Sequence, residues 1–255
     1  MERDSFLYNI RRKGQIIAHK IFPDEILSKI YFKVVLGKKL NLKNPKTFND
    51  KMQWLKLYYY PFNPTVVKCA DKYAVRKYME EKGYAKLLVP LIGYWDNADK
   101  IDWDKLPEKF VMKCNHGCAY NILCNDKRSF DTKKATYQLN KWMKEDFGAF
   151  NIENHYSKIK PHMITCEKFL GDSITDYKFF CFNGVAESVM VCTERETGEP
   201  KFYFFDKAWN LKKYNIRGKK APKGFTIQKP DCIDEMFKIA EKLSKGIPYV
   251  RVDLY

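Results

Sequence analysis

Apolar and polar residues alternate over Lys109–Cys114 and return over Asn121–Cys124, with a short polar turn centred on His116 and Gly117 between them. The pattern predicts a hairpin in which Lys113 shares a face with Val111. A second alternation runs through Asp176–Phe182 and Val185–Cys192, joined by Asn183-Gly184, a dipeptide suited to a tight two-residue hairpin. His162–Leu170 and Lys201–Asp206 add strands, and Tyr249–Tyr255 places Arg251, Asp253 and Tyr255 opposite Val250, Val252 and Leu254. Helical spacing appears after Asp24 (Ile26, Ile30, Val34) and again after Thr47, which with Asp50 resembles a capping box ahead of Met52 and Leu55. Asn63-Pro64 opens a further helix expected to end at Gly83, Asp131 caps one reaching about Gly148, and Asp231 caps one stopped by Gly246. Leu87–Trp95 is partly apolar and interrupted by Pro90, and Ala149–Pro161 has weak periodicity and reads as a linker. The expected layout is α+β: a helical region over 1–62, a first α/β subdomain over 63–160 and a second over 161–255.

Composition narrows the class. A chain of 255 residues, 45% of them hydrophobic, has length for one large domain or two small ones and is globular. No apolar run approaches the roughly 18 residues of a membrane span. Met1–Asp4 is charged with no apolar stretch behind it, so no secretory signal is expected. The eight cysteines lack paired spacing, which points to reduced thiols in a cytoplasm; Cys114, Cys118 and Cys124 with His116 do not have zinc-finger spacing. The net charge of +16 favours anionic partners: nucleotides, nucleic acid, acidic polysaccharide or an anionic membrane surface. It does not choose among them, because the basic residues are dispersed apart from Arg11–Lys13 and Arg217–Lys220.

The chemistry begins with Lys113. An ammonium near the end of an apolar strand calls for an anionic partner, and a turn with Gly117 at its tip can bring backbone N–H groups to an oxyanion. Together they suggest a phosphate site, a fixed cation beneath a mobile flap; the plainer alternative is an edge hairpin whose lysine reaches water. No Walker A loop, G-x-G-x-x-G, G-x-S-x-G or H-E-x-x-H occurs. Asp102-Trp103-Asp104 could be a metal and sugar-nucleotide motif, but without a preceding apolar strand it reads better as an exposed acidic turn. Asp253 is a reasonable hard-cation ligand, or else one half of a surface pair with Arg251.

The ordered set Ala70-Asp71-Lys72-Tyr73, Lys113-Cys114-Asn115-His116, Glu167-Lys168-Phe169-Leu170, Asp176–Gly184 and Val250–Tyr255, with Asn44–Lys51 ahead of it, resembles the TupA-like ATP-grasp family from about Asn44 to Tyr255. The resemblance implies an ATP-grasp-like fold, two α/β subdomains with a nucleotide cleft between them. Lys72 and Lys113 would contact ATP phosphates, and the turn holding His116 and Gly117 would be the flap. The backbone of Glu167, Lys168 and Leu170 would hold adenine, with Glu167 near the sugar or exocyclic amine. Lys178 would lie on the sheet below, and Asp253 would be the first magnesium ligand. The flap carries a single glycine where the family usually has several. The family's next strand, with a Glu and a further polar metal ligand, lies beyond Tyr255, so this chain is expected to be C-terminally incomplete, a fragment or a truncated protein.

The function implied is an ATP- and Mg2+-dependent carboxylate–amine ligase of cell-surface polysaccharide or teichuronopeptide biosynthesis. The alternatives are a glycosyltransferase of capsule or exopolysaccharide assembly, and a non-enzymatic basic module. The expected substrate is a small molecule or a lipid-linked polysaccharide, with peripheral contact at an anionic membrane on its cytoplasmic face and no nucleic acid.

Overall fold

The computed structural model describes residues 6–171, 174–194 and 197–255, so the charged opening Met1–Asp4 lies outside the described residues. The chain divides into two compact units that meet between Phe169 and Leu170.

In the first unit, helices α1 (Phe6–Ile21), α2 (Asp24–Leu36) and α3 (Phe48–Tyr58) precede a sheet. Thr47 and Asp50 form the expected capping box at the start of α3. At α2 the cap position is Pro23 instead of Asp24, whose carboxylate accepts from Asn154 Nδ2 and lies 2.6 Å from His19 Nδ1. The helix expected from Asn63 to Gly83 is two, α4 (Pro64–Ala70) and α5 (Ala74–Glu81). They part at Asp71, whose backbone is extended and whose carboxylate accepts from the N–H groups of Tyr73 (2.8 Å) and Ala74 (3.0 Å). Strands β1 (Leu91–Trp95), β2 (Phe110–Cys114), β3 (Asn121–Cys124) and β4 (Ile164–Lys168) pair antiparallel in the order β1-β4-β2-β3. β4 therefore belongs to the first unit, and the boundary expected at 160/161 falls at 169/170, because β4 is clamped between β1 and β2.

The period-two pattern decides the faces. Phe110, Met112, Cys114, Ile164 and Cys166 are buried against Leu139 and Trp142 of α6 (Thr132–Met143), leaving Val111, Lys113, Thr165 and Glu167 on the other face. The supposed linker is ordered: α7 (Phe147–Asn151), capped by Asp146, and α8 (Asn154–Ser157) bury Phe150, Ile152 and Ile159. Helices this short carry too few residues to show a period.

The second unit is a five-stranded antiparallel sheet, in the order β8 (Leu211–Lys212), β7 (Lys201–Phe205), β6 (Val185–Thr193), β5 (Asp176–Phe182) and β9 (Tyr249–Leu254). Asn183 and Gly184 both take positive φ, 50° and 84°, in the expected hairpin turn between β5 and β6. One face buries Phe179, Cys181, Val189, Val191 and Phe205 under Ile233, Phe237 and Ala240 of α10 (Ile233–Ser244). The cap position of α10 is Cys232, with no side-chain cap bond, where Asp231 was expected. A short helix, α9 (Ile216–Lys220), precedes it. Among the described residues the fold is thus an α+β mixture with two antiparallel sheets, as expected.

Candidate functional site

In the first unit, three cations gather near one end and one face of the sheet. Register places Val111 opposite Glu167 and Lys113 opposite Thr165, so Lys113 and Glu167 project from the same face on neighbouring strands. Lys113 Nζ donates to Glu167 Oε2, and Arg76 Nη1 of α5 lies 3.8 Å from Glu167 Oε1. The Glu167 side chain is only 9% exposed, which strengthens both attractions relative to a surface pair. The plainer alternative for Lys113, a side chain reaching water, is therefore replaced by an ion pair on a half-buried face.

Lys72 lies at the break between α4 and α5. Its Nζ donates to the carbonyl of Cys114 at 3.1 Å and to the carbonyl of Gly117. Burial pulls its pKa below the ordinary lysine value, and the positive charge of Lys113 acts in the same direction. The charge of Lys113 thus adds to burial in disfavouring the charged form of Lys72. Asp71 offers partial compensation, but its Oδ1 is taken by Tyr73 N–H, Ala74 N–H and Asn115 Nδ2. Lys72, Arg76 and Lys113 thus stand beside Glu167 and Asp71, three basic side chains to two carboxylates.

The turn expected to be a mobile flap is part of the core. Asn115 and His116 are 0% and 1% exposed, and Tyr120 is fully buried. Asn115 Nδ2 also donates to Pro161 O (3.1 Å), and its Oδ1 accepts from Met163 N–H (2.8 Å). The His116 ring stacks on His162 at 3.6 Å and its Nε2 bonds Trp142 O at 2.9 Å. Burial, then the neighbouring His162, lowers its pKa to about 4, so it is neutral at physiological pH. A Cβ on Gly117 would sit 2.6 Å from the Tyr120 ring. In this arrangement His116 and Gly117, expected to contact phosphate, pack in the core, and the glycine allows close approach of an aromatic ring. Only Cys118 and Ala119 of the turn are exposed.

At the strand end, Lys168 pairs with Phe110, on the face away from Glu167, and its backbone N–H donates to Pro90 O at 3.0 Å. That amide is already engaged and has no hydrogen to offer adenine. Leu170 is exposed and opens the second unit.

The second unit holds a separate charged cluster. Lys178 of β5 is paired in register with Asp253 of β9; its Nζ donates to Asp253 Oδ2 at 2.8 Å and to Asp176. Arg251 grips the same carboxylate through Nε–Oδ1 (2.6 Å) and Nη2–Oδ2 (2.8 Å). Burial pushes the Asp253 carboxyl up, but hydrogen bonds from Arg251 and Lys178 outweigh it and hold the pKa low. Both oxygens of Asp253 are thus on cations, and among the described residues no three His, Cys, Asp or Glu side chains gather as a metal site. In this arrangement Asp253, expected as a first magnesium ligand, is a salt-bridged carboxylate. Asp102 is paired with Lys105 at 2.8 Å in an exposed turn, as the simpler reading expected.

Arg76 and Asn115 are the site residues that sequence reasoning missed. Arg76 sits five residues after Asp71, a spacing that becomes meaningful only once the helix is known to restart at Ala74. Asn115 stood inside a quoted motif without a role. No curated protein matches the chain. A family model described as TupA-like ATP-grasp matches residues 50–255, a span that takes in every residue of both clusters. With most of its length accounted for by that match, the chain belongs to the TupA-like ATP-grasp family.

Proposed function

We propose that the chain is an ATP-dependent carboxylate–amine ligase whose triphosphate-binding element is the Lys72–Lys113–Arg76 cluster of the first unit. The observation that carries this reading is the cation excess around Glu167 within the family's matched region. Electrostatic stabilisation of a phosphoryl group in flight needs fixed cations and no protein nucleophile, which suits lysines held by carbonyls and a carboxylate. In the reaction, a substrate carboxylate oxygen attacks the γ-phosphorus and ADP leaves. An amine then attacks the acyl-phosphate carbon, the C–O bond breaks, and an amide, inorganic phosphate and a proton are released.

Lys113 has the clearest part: transfer of its Nζ from Glu167 to a phosphate oxygen would leave Glu167 paired with Arg76 and free to accept from a ribose hydroxyl. Lys72 would orient the phosphate chain while remaining tied to the 114–117 turn. Substrates from cell-surface polysaccharide or teichuronopeptide assembly are the class we favour, on the family resemblance and the +16 charge, which suits an acidic polymer. The test is ADP release by the full chain supplied with ATP, magnesium and panels of carboxylates and amines. Release that requires both co-substrates supports the ligase. Release of the donor's own nucleotide upon addition of a nucleotide-sugar and a sugar acceptor, with ATP inert, supports a glycosyltransferase instead.

A further inference from the structure

Helix α1 precedes the residues matched by the family and buries none of its own. Its inner side is held through Arg12, which stacks on the ring of Phe150 at 3.7 Å and hydrogen-bonds the Tyr8 hydroxyl. Advancing about 100° per residue from there, Phe6, Leu7, Ile10, Ile17 and Ile21 fall within an arc of roughly 100° on the opposite side. All five are exposed, Phe6 at 78% and Ile21 at 65%. Lys13 and Lys20 border one edge of the arc and Arg11 the other, and α1 contains no acidic residue. The chain then turns through exposed Phe22 into α2, where Ile26, Ile30 and Val34 form a second exposed row.

We infer that α1 is an interfacial helix that lays its apolar arc into an anionic phospholipid surface. The length decides against spanning: its 16 residues reach about 24 Å, short of the roughly 30 Å hydrocarbon core, and among the described residues no helix is long and apolar enough to cross a membrane. The charges decide the occupant. Lysines flanking an apolar arc place their ammoniums at headgroup level and are attracted to acidic lipids. A second copy docked on the same arc would bring like-charged rows together. The inference stands apart from the nucleotide reading, since α1 shares no residue with the cation cluster.

The experiment is co-sedimentation of the full chain with vesicles of phosphatidylcholine, with and without phosphatidylglycerol. Binding to the anionic vesicles is expected to exceed binding to neutral ones and to weaken with salt. The double variants Ile10→Asp/Ile17→Asp and Lys13→Glu/Lys20→Glu should each lower the partition coefficient at least about tenfold, with unchanged circular dichroism because all four side chains are exposed. Absence of binding, equal binding to neutral vesicles, or binding unmoved by both variants overturns the inference. So does a concentration-dependent dimer abolished by Ile10→Asp/Ile17→Asp in place of vesicle binding.

Discussion

Replacing Asn115 by Ala tests whether the turn after β2 is structural. Its amide is fully buried, donating to Asp71 Oδ1 at 3.0 Å and Pro161 O at 3.1 Å and accepting from Met163 N–H at 2.8 Å. Truncation deletes all of these and strands a carbonyl and an amide with no replacement partner. At roughly 1 kcal/mol for each bond lost, and more for the bond to a carboxylate and for groups left unpaired, the expected loss is about 4 kcal/mol. Backbone bonds of the same residue, to Lys72 N–H and Met163, survive in any variant, so the loss reports the side chain. Urea unfolding followed by tryptophan fluorescence is a suitable assay, because Trp54, Trp95, Trp103 and Trp142 all lie in the first unit. Asn115→Asp adds a signature: it keeps the acceptor for Met163 but places a carboxylate against Asp71. Its destabilisation at neutral pH should shrink as the pair is protonated on acidification. A loss under about 1 kcal/mol for Asn115→Ala, or an Asn115→Asp variant as stable as the parent at neutral pH, refutes the reasoning.

Gly117→Ala forces a methyl to within 2.6 Å of the buried Tyr120 ring and should destabilise by about 1–3 kcal/mol in the same assay; a freely moving flap would tolerate it. His116 has a folded pKa of about 4 against an ordinary value of 6.5, so between those values the unfolded chain binds the extra proton. Its contribution is therefore complete above pH 6.5 and lost as pH falls towards 4, about 3 kcal/mol in all. Chemical denaturation across that range should show stability rising with pH, and His116→Asn should flatten the curve, leaving the similar contribution of His155. Lys178→Met leaves Asp176 and Asp253 without their shared ammonium and should destabilise the second unit by about 3 kcal/mol, read from Trp209 emission in a variant lacking the other tryptophans.

Local pattern was enough where a face of an element is repeatedly buried. Phe110, Met112 and Cys114 alternate with half-exposed neighbours because one side of β2 meets α6, and that asymmetry is written directly into the residues. The Asn183-Gly184 turn was equally legible, since positive φ at two successive positions is what that dipeptide tolerates. The break at Asp71 was not, because its cause is tertiary: the carboxylate caps α5 while Asn115, far along the chain, holds it in place. The same holds for His116, whose polarity suggested a surface turn while Trp142 O and His162 satisfy it in the interior. Within the site, Lys113 stood out as a cation in an apolar setting and Lys72 only through the family resemblance, whereas Glu167 and Arg76 became connected to Lys113 only through strand register and the restart of the helix.

Isothermal titration of ATP into the full chain and into Lys113→Ala, each with and without magnesium, bears most directly on the claim that the cations around Glu167 hold a triphosphate. The account predicts saturable binding by the parent and a dissociation constant at least about tenfold higher for the variant, the worth of one charge-assisted hydrogen bond. No ATP binding by the parent, or equal affinity in Lys113→Ala, would contradict it.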